Sequence, residues 1–337
     1  MRSKVACAAL FLSALAASAV SAAAPDPLEL LKSVAAGPTT SYEGHVTVIR
    51  WFGKRTRAEE ANVYFSPPNL YRWEFIAPDG SPERLVVSDG KKEYLSLARQ
   101  KKVLSGDAVK SSPKPTEPDR EVELMLKNYR LTLSGTEKRA GRAVWVVEIS
   151  PRVHGKPTQR IWIDQETNVL LESRRFWEKG VFAVLSRYTR FEPKESLPDE
   201  LFELKTEPGV QVDEHGLDPD YLSFEEMRRA TGKTFNFPQA LPGGFVFESA
   251  DFFDVQAQAV RQARYTDGLA SLSLFQTNRP VSLPKDASPE AALPPHPGDF
   301  GLASTGHVLR FKRGRLHYTL LGDVSEELLS VIAASVK

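Results

Sequence analysis

Phe65-Ser-Pro-Pro-Asn-Leu-Tyr-Arg-Trp-Glu-Phe75, followed ten residues on by Leu85-Val-Val-Ser-Asp-Gly-Lys91, is the stretch that decides the fold. Pro67, Pro68 and Asn69 cannot propagate a helix or donate fully to a ladder, so they read as a turn. From Leu70 the period is two. Tyr71, Trp73 and Phe75 fall on one face; Leu70, Arg72, Glu74 and Ile76 fall on the other. Asp89-Gly90 behind a short apolar run is a hairpin signal. A turn, an aromatic strand and a second turn therefore form one unit, and its aromatic face needs a cover.

Strands of the same rhythm surround it. Tyr42 to Phe52, Glu60 to Phe65, Arg84 to Ser88 and Lys92 to Leu97 are short and regularly spaced, as in an antiparallel meander. After a Pro/Lys/Thr loop at 110–118 and a helical turn or two at 121–127, strands resume at 130–133, 143–149, 158–164, 169–177 and 182–191. Trp145, Val147 and Ile149, then Ile161 and Ile163, add apolar strand faces. A sheet with one solvated face must have its other face covered. With few helical residues available, the expected solution is a sheet curled around short helices, leaving an apolar hollow. Packing a solid core and lining that hollow are both open to Tyr71, Trp73, Phe75, Trp145, Val147, Ile161 and Ile163.

The chain has 337 residues, enough for two domains. Residues 25–209 form the half-barrel, 210–222 an acidic, turn-rich linker, and 223–337 a smaller unit. Ser223-x-x-Glu226 has capping-box spacing. Strands are expected at 244–254, 259–266 and 270–277, with a proline-rich loop at 280–297. A hairpin across Arg313-Gly314 and a closing helix at 325–336 complete the chain. The fold class is α+β: a curved antiparallel half-barrel plus a smaller α+β domain.

Residues 1–23 read as a secretory leader, with Arg2 and Lys4 ahead of an apolar, alanine-rich run and small residues at 21–24. That run is shorter than the ~20 residues an anchor needs. The single cysteine, Cys7, lies in the leader, so the exported chain would have no thiol chemistry and no disulfide. A soluble periplasmic protein is the expectation. A net charge of +1 provides no field for nucleic acid.

Catalytic patterns do not emerge. Six histidines are scattered without zinc spacing, although His307 and His317 could meet across the last hairpin. There is no Gly-x-Ser-x-Gly elbow and no phosphate loop. The acidic pairs read as solvated faces. A non-enzymatic protein without cofactor or metal is the expectation.

The opening motif resembles the LolA family of periplasmic lipoprotein carriers, which has Arg-Pro-Asn-Leu-Phe-x-Trp followed by Val-Ser-Asp-Gly-Lys; the stretch from Leu197-Pro-Asp-Glu-Leu-Phe202 to Val210 resembles that family's closing strand. Pro67 stands where the carriers have arginine. Leu241-Pro-Gly-Gly-Phe245, Arg264-Tyr-Thr-Asp-Gly-Leu-Ala-Ser-Leu-Ser-Leu274, Pro157-Thr-Gln-Arg-Ile-Trp-Ile-Asp-Gln-Glu-Thr167 and the closing helix resemble the RseB/MucB family, which joins a LolA-like half-barrel to a smaller domain. This resemblance implies binding to the periplasmic part of a membrane anti-sigma factor, and release by lipid-bearing molecules. It implies an acyl chain or lipoprotein ligand, leaves a homodimer open, and points to Tyr265, Asp267, Gly268 and Leu269 as partner-binding. A LolA-like carrier of lipoproteins is the alternative.

Overall fold

The computed structural model describes residues 24–52, 55–108, 118–177, 182–206, 208–217, 221–232, 237–255, 257–280 and 306–336. The expected leader, the Gly53-Lys54 and Lys179-Gly180 turns and nearly all of the 110–118 and 280–297 loops lie outside the described residues.

Helix α1 (Pro27–Ala35) starts where Asp26 accepts a hydrogen bond from the Leu28 N–H (2.9 Å) and Pro27 presets the first turn. It leads into β1 (Ser41–Phe52), β2 (Arg55–Ser66), β3 (Leu70–Ile76), β4 (Pro82–Asp89), β5 (Lys92–Leu97) and β6 (Lys102–Asp107). Helix α2 (Pro118–Asn128) is longer than the turn or two expected, and runs directly into β7 (Tyr129–Arg139). Then come β8 (Arg142–Pro151), β9 (Thr158–Asp164), β10 (Leu170–Phe176) and β11 (Phe182–Lys194).

These strands form one sheet in the order β6-β5-β4-β3-β2-β1-β11-β10-β9-β8-β7, curled into a half-barrel. Two antiparallel meanders are thus sewn together where β1 meets β11. Strands β6 and β7 stand far apart in the strand order, and α2 is the described part of the connection between them. Val122 and Met125 of α2, with Leu30 and Leu31 of α1, pack on Val147, Ile149, Ile161 and Ile163.

The expected linker also contributes to the sheet. Residues Gln211–Asp213 form β12, parallel to β6, and Leu217 is buried in the half-barrel core.

The second domain opens with α3 (Phe224–Thr231), whose capping box forms as the Ser223/Glu226 spacing predicts. Its six-stranded sheet has the order β13-β14-β15-β16-β18-β17. The strands are β13 (Ala240–Leu241), β14 (Phe245–Val255), β15 (Gln258–Thr266), β16 (Ser271–Thr277), β17 (His307–Arg313) and β18 (Leu316–Gly322). Helix α4 (Glu326–Ser335) lays Leu328, Leu329 and Ile332 against Tyr265, Leu272, Leu274 and Leu320. His307 and His317 do not meet: His307 opposes Gly322, and His317 opposes Lys312 and Thr277. The His307 ring packs instead on Trp177 of the first domain, with centroids 5.1 Å apart.

Candidate functional site

Strand register places the expected lining residues. Directly opposed residues on antiparallel strands share a face. Tyr71 opposes Phe65, Trp73 opposes Val63 and Val86, and Phe75 opposes Ala61. Ala61 opposes Val46; two residues along β1, Val48 leads through Ser186 and Ser173 to Ile161 and Val147. Trp145 opposes Ile163. All seven residues therefore share the inner face. They divide into two packing groups. Tyr71, Trp73 and Phe75 belong to the cluster centred on β1–β4; Val147, Ile161 and Ile163 lie beneath α1 and α2, with Trp145 partly buried beside them.

The two halves of the opening motif are spatial neighbours. Asn69 Nδ2 donates to the Gly90 carbonyl (3.0 Å), while Asp89 Oδ1 accepts from the Lys91 and Lys92 N–H groups (2.8 and 2.7 Å). One turn braces the other, so Pro-Pro-Asn and Asp-Gly-Lys act as a single device that fixes the register of β3.

Tyr71, Trp73 and Phe75 on the inner face are all buried. Trp73 is 1% exposed and stacks on Phe75, with centroids 6.0 Å apart. The hollow between Val34, Pro38, Tyr42, Val169, Leu170 and Tyr188 measures about 20 Å³, room for about one water. Beside it Tyr42, Phe65, Tyr188 and Phe191 form an aromatic box with centroid separations of 5.0 to 6.1 Å. Burial pushes the Tyr42 hydroxyl up to about 12, only partly offset by its hydrogen bond with Tyr188. The alternation starting at Tyr42 was legible as a strand; the box, which closes through β11, was not.

Charges on the inner face were also not legible. Glu59 bonds Arg50, Arg84 (3.0 Å) and Arg57 (3.2 Å), and the Arg84 guanidinium lies 3.8 Å above the Phe75 ring. Burial alone would raise the Glu59 pKa, but Arg84, Arg50 and Arg57 together bring it below the ordinary 4.5. A carboxyl whose folded pKa is depressed contributes stability above its unfolded pKa and loses it as pH falls through the folded value. Stability should therefore drop below pH 4.5 more steeply in the native chain than in Glu59→Gln. Urea midpoints measured from pH 6 to pH 3 check this; parallel curves would rule it out.

The residues expected to touch a partner lie at the junction of the two domains. Tyr265 is buried, and its hydroxyl donates to the Pro238 carbonyl (2.8 Å). Asp267 is 0% exposed. Its Oδ2 receives Lys156 Nζ (2.8 Å) and the Tyr129 hydroxyl (3.0 Å), both from the half-barrel. Its Oδ1 accepts the Leu269 and Ala270 N–H groups (3.0 and 2.8 Å), which fixes the carboxylate in its own turn. Gly268, at φ +97°, meets α2 so closely that a Cβ would stand 2.4 Å from the Met125 nitrogen and 2.7 Å from the Glu121 carbonyl oxygen. Leu269 packs into the α1/α2 cluster of the half-barrel. Asn128 Nδ2 donates to the Asp267 carbonyl (2.9 Å), Arg175 pairs with Asp323 (3.1 Å), and the Ser325 N–H donates to the Gly155 carbonyl (2.7 Å).

Residues 68–201 match the family model of the MucB/RseB N-terminal domain. Over that span the chain is similar to a MucB/RseB N-terminal domain. Solved structures extend the likeness over both domains. A crystal structure of MucB in complex with MucA(peri) is 17% identical, covers 91% of this chain and 96% of that one, and has a TM-score of 0.56. The complex of Pseudomonas aeruginosa MucA/MucB gives 18% identity, 92% and 97% coverage and a TM-score of 0.60. A crystal structure of MucB gives 19%, 93% and 98%, with a TM-score of 0.53. At these identities the likeness is one of fold. No protein of curated function matches the chain.

Proposed function

We propose that this chain is a periplasmic, non-enzymatic regulator. It binds the periplasmic part of a membrane anti-sigma factor and responds to a lipid or lipoprotein on the inner face of its half-barrel, and so modulates an extracytoplasmic sigma-factor envelope stress response. The observation that carries this reading is a domain similar to the MucB/RseB N-terminal domain joined to a docked second domain, a fold shared with MucB solved together with MucA. The inner face supports the second half of the reading. Its apolar residues offer roughly 25 cal/mol for each Å² of acyl chain buried. Because α1 and α2 pack on that face, an acyl chain enters only when they lift, so affinity is reduced by the small population of the open state.

The test is binding of the purified chain to the periplasmic segment of the anti-sigma factor from the same genome, by calorimetry, with and without a micellar amphiphile. The expected result is binding that the amphiphile weakens. Failure to bind in either condition, together with transfer of a labelled lipoprotein to an outer-membrane acceptor, would favour the carrier reading instead. The Pro68-Asn69-Leu70 motif supports that alternative, while Pro67 in the arginine position separates this chain from the carriers.

A further inference from the structure

Lys156, Asp267, Arg175 and Asp323 bring two cations and two anions to the junction between the domains. The side-chain exposures are 0% for both Lys156 and Asp267, 4% for Arg175 and 10% for Asp323. Tyr129 sits among them: burial raises its pKa most, and Asp267, Arg175 and Asp323 all act on it as well. In each pair the cation comes from the half-barrel and the anion from the second domain. An apolar seam of the same volume would hold the domains together at least as well, because desolvating such pairs offsets much of their attraction. What buried pairs add is direction: a lone charge left by sliding or rotating the seam is strongly disfavoured.

The seam is also tied to the inner face. Helix α2 is a shared element. Val122 and Met125 pack over Val147, Ile161 and Ile163, while the α2 backbone at Glu121 and Met125 is the surface that Gly268 rests on. Leu269 enters the same cluster. Arg175 of β10 opposes Val184 and Gln159, so it stands on the inner-face side of the sheet and reaches Asp323 from there. Lifting α2 to admit an acyl chain must therefore displace the Asp267-Gly268-Leu269 turn, and with it the second domain.

From this we infer that Lys156, Tyr129, Arg175, Asp267 and Asp323 are positioning residues. They hold the two domains in the one relative orientation that presents the partner-binding surface, and they transmit opening of the inner face to that surface. The Tyr265–Leu269 turn thereby governs partner binding through the junction, with its side chains buried. This rests on the regulator reading above.

Cys7 is the only cysteine, so spin labels placed at exposed Thr132→Cys and Val331→Cys in a Cys7→Ser background report the distance between domains. The variants are Lys156→Met, Asp267→Asn and both together. Each single variant strands a buried charge, so the distance distribution should broaden and affinity for the anti-sigma periplasmic segment should fall about tenfold or more; the double variant, which strands none, should recover part of both. If Lys156→Met loses its far-UV strand signal, Asp323→Asn replaces it with the same two readouts. Broadened distances with affinity unchanged within about twofold would overturn the positioning role while leaving the regulator reading intact. Unchanged distances in both single variants would overturn it equally. Lack of binding by the unsubstituted chain would overturn the regulator reading itself, and the distance data would still decide whether the pairs hold the domains.

Discussion

Gly268→Ala should undock the second domain. The added methyl would stand 2.4 Å from a backbone nitrogen of α2 and 2.7 Å from a backbone carbonyl oxygen, and neither atom can rotate away as a side chain would. The φ of +97° adds its own cost, of order 1–3 kcal/mol for a residue with a Cβ. Relief comes only from moving the turn off the helix, which also breaks the Asp267 contacts with Lys156 and Tyr129. The second domain keeps its own core beneath α4. Calorimetry should therefore show the unfolding of the native chain split into two transitions in Gly268→Ala. One transition, with a midpoint within about 2 °C of the native chain, would show that the turn accommodates the methyl.

Trp73→Ala should produce the largest loss of stability in the half-barrel itself. Trp73 is 1% exposed, stacks on Phe75 and opposes Val63 and Val86. Deleting so large a buried side chain costs about 3–5 kcal/mol, because the neighbours close over the void only in part. Trp177 is the control. It is only partly buried and packs on His307, so Trp177→Ala should cost about a third as much. Urea unfolding of both variants measures this, and equal losses would show that the Tyr71–Phe75 face is not the principal core. Trp73→Asp should also weaken amphiphile binding more than Trp177→Asp, since Trp73 stands 1% exposed in the middle of the Tyr71–Phe75 face while Trp177 packs only at the edge of that cluster against His307.

Local patterns reported local structure well. Alternation from Leu70 to Ile76 specified β3 and put Tyr71, Trp73 and Phe75 on one face, as the register shows. Asp89-Gly90 specified the hairpin, and Ser223 with Glu226 specified the start of α3. The period of two carries such information because it is set by neighbours along the chain. The partners across the chain were not visible. The sequence has no signal that β1 pairs with β11, that Glu59 gathers three arginines, or that Tyr42 and Tyr188 close a box. Those contacts join residues far apart in the chain, and their energy depends on geometry that no local window holds.

Asp267 shows the division most clearly. Its turn was legible: Tyr265-Thr-Asp-Gly-Leu269 marks a strand followed by a tight turn, and Asp267 does accept the N–H groups of Leu269 and Ala270. By itself, the sequence determined most of the strands and turns and the apolar face of β3. Only the tertiary structure decided that Tyr71, Trp73 and Phe75 are buried, and that the turn points inward. Helix α2 lies on the connection from β6 to β7 and runs directly into β7. That course places its backbone under Gly268 and its side chains over Ile161 and Ile163, and brings Lys156 and Tyr129 to Asp267.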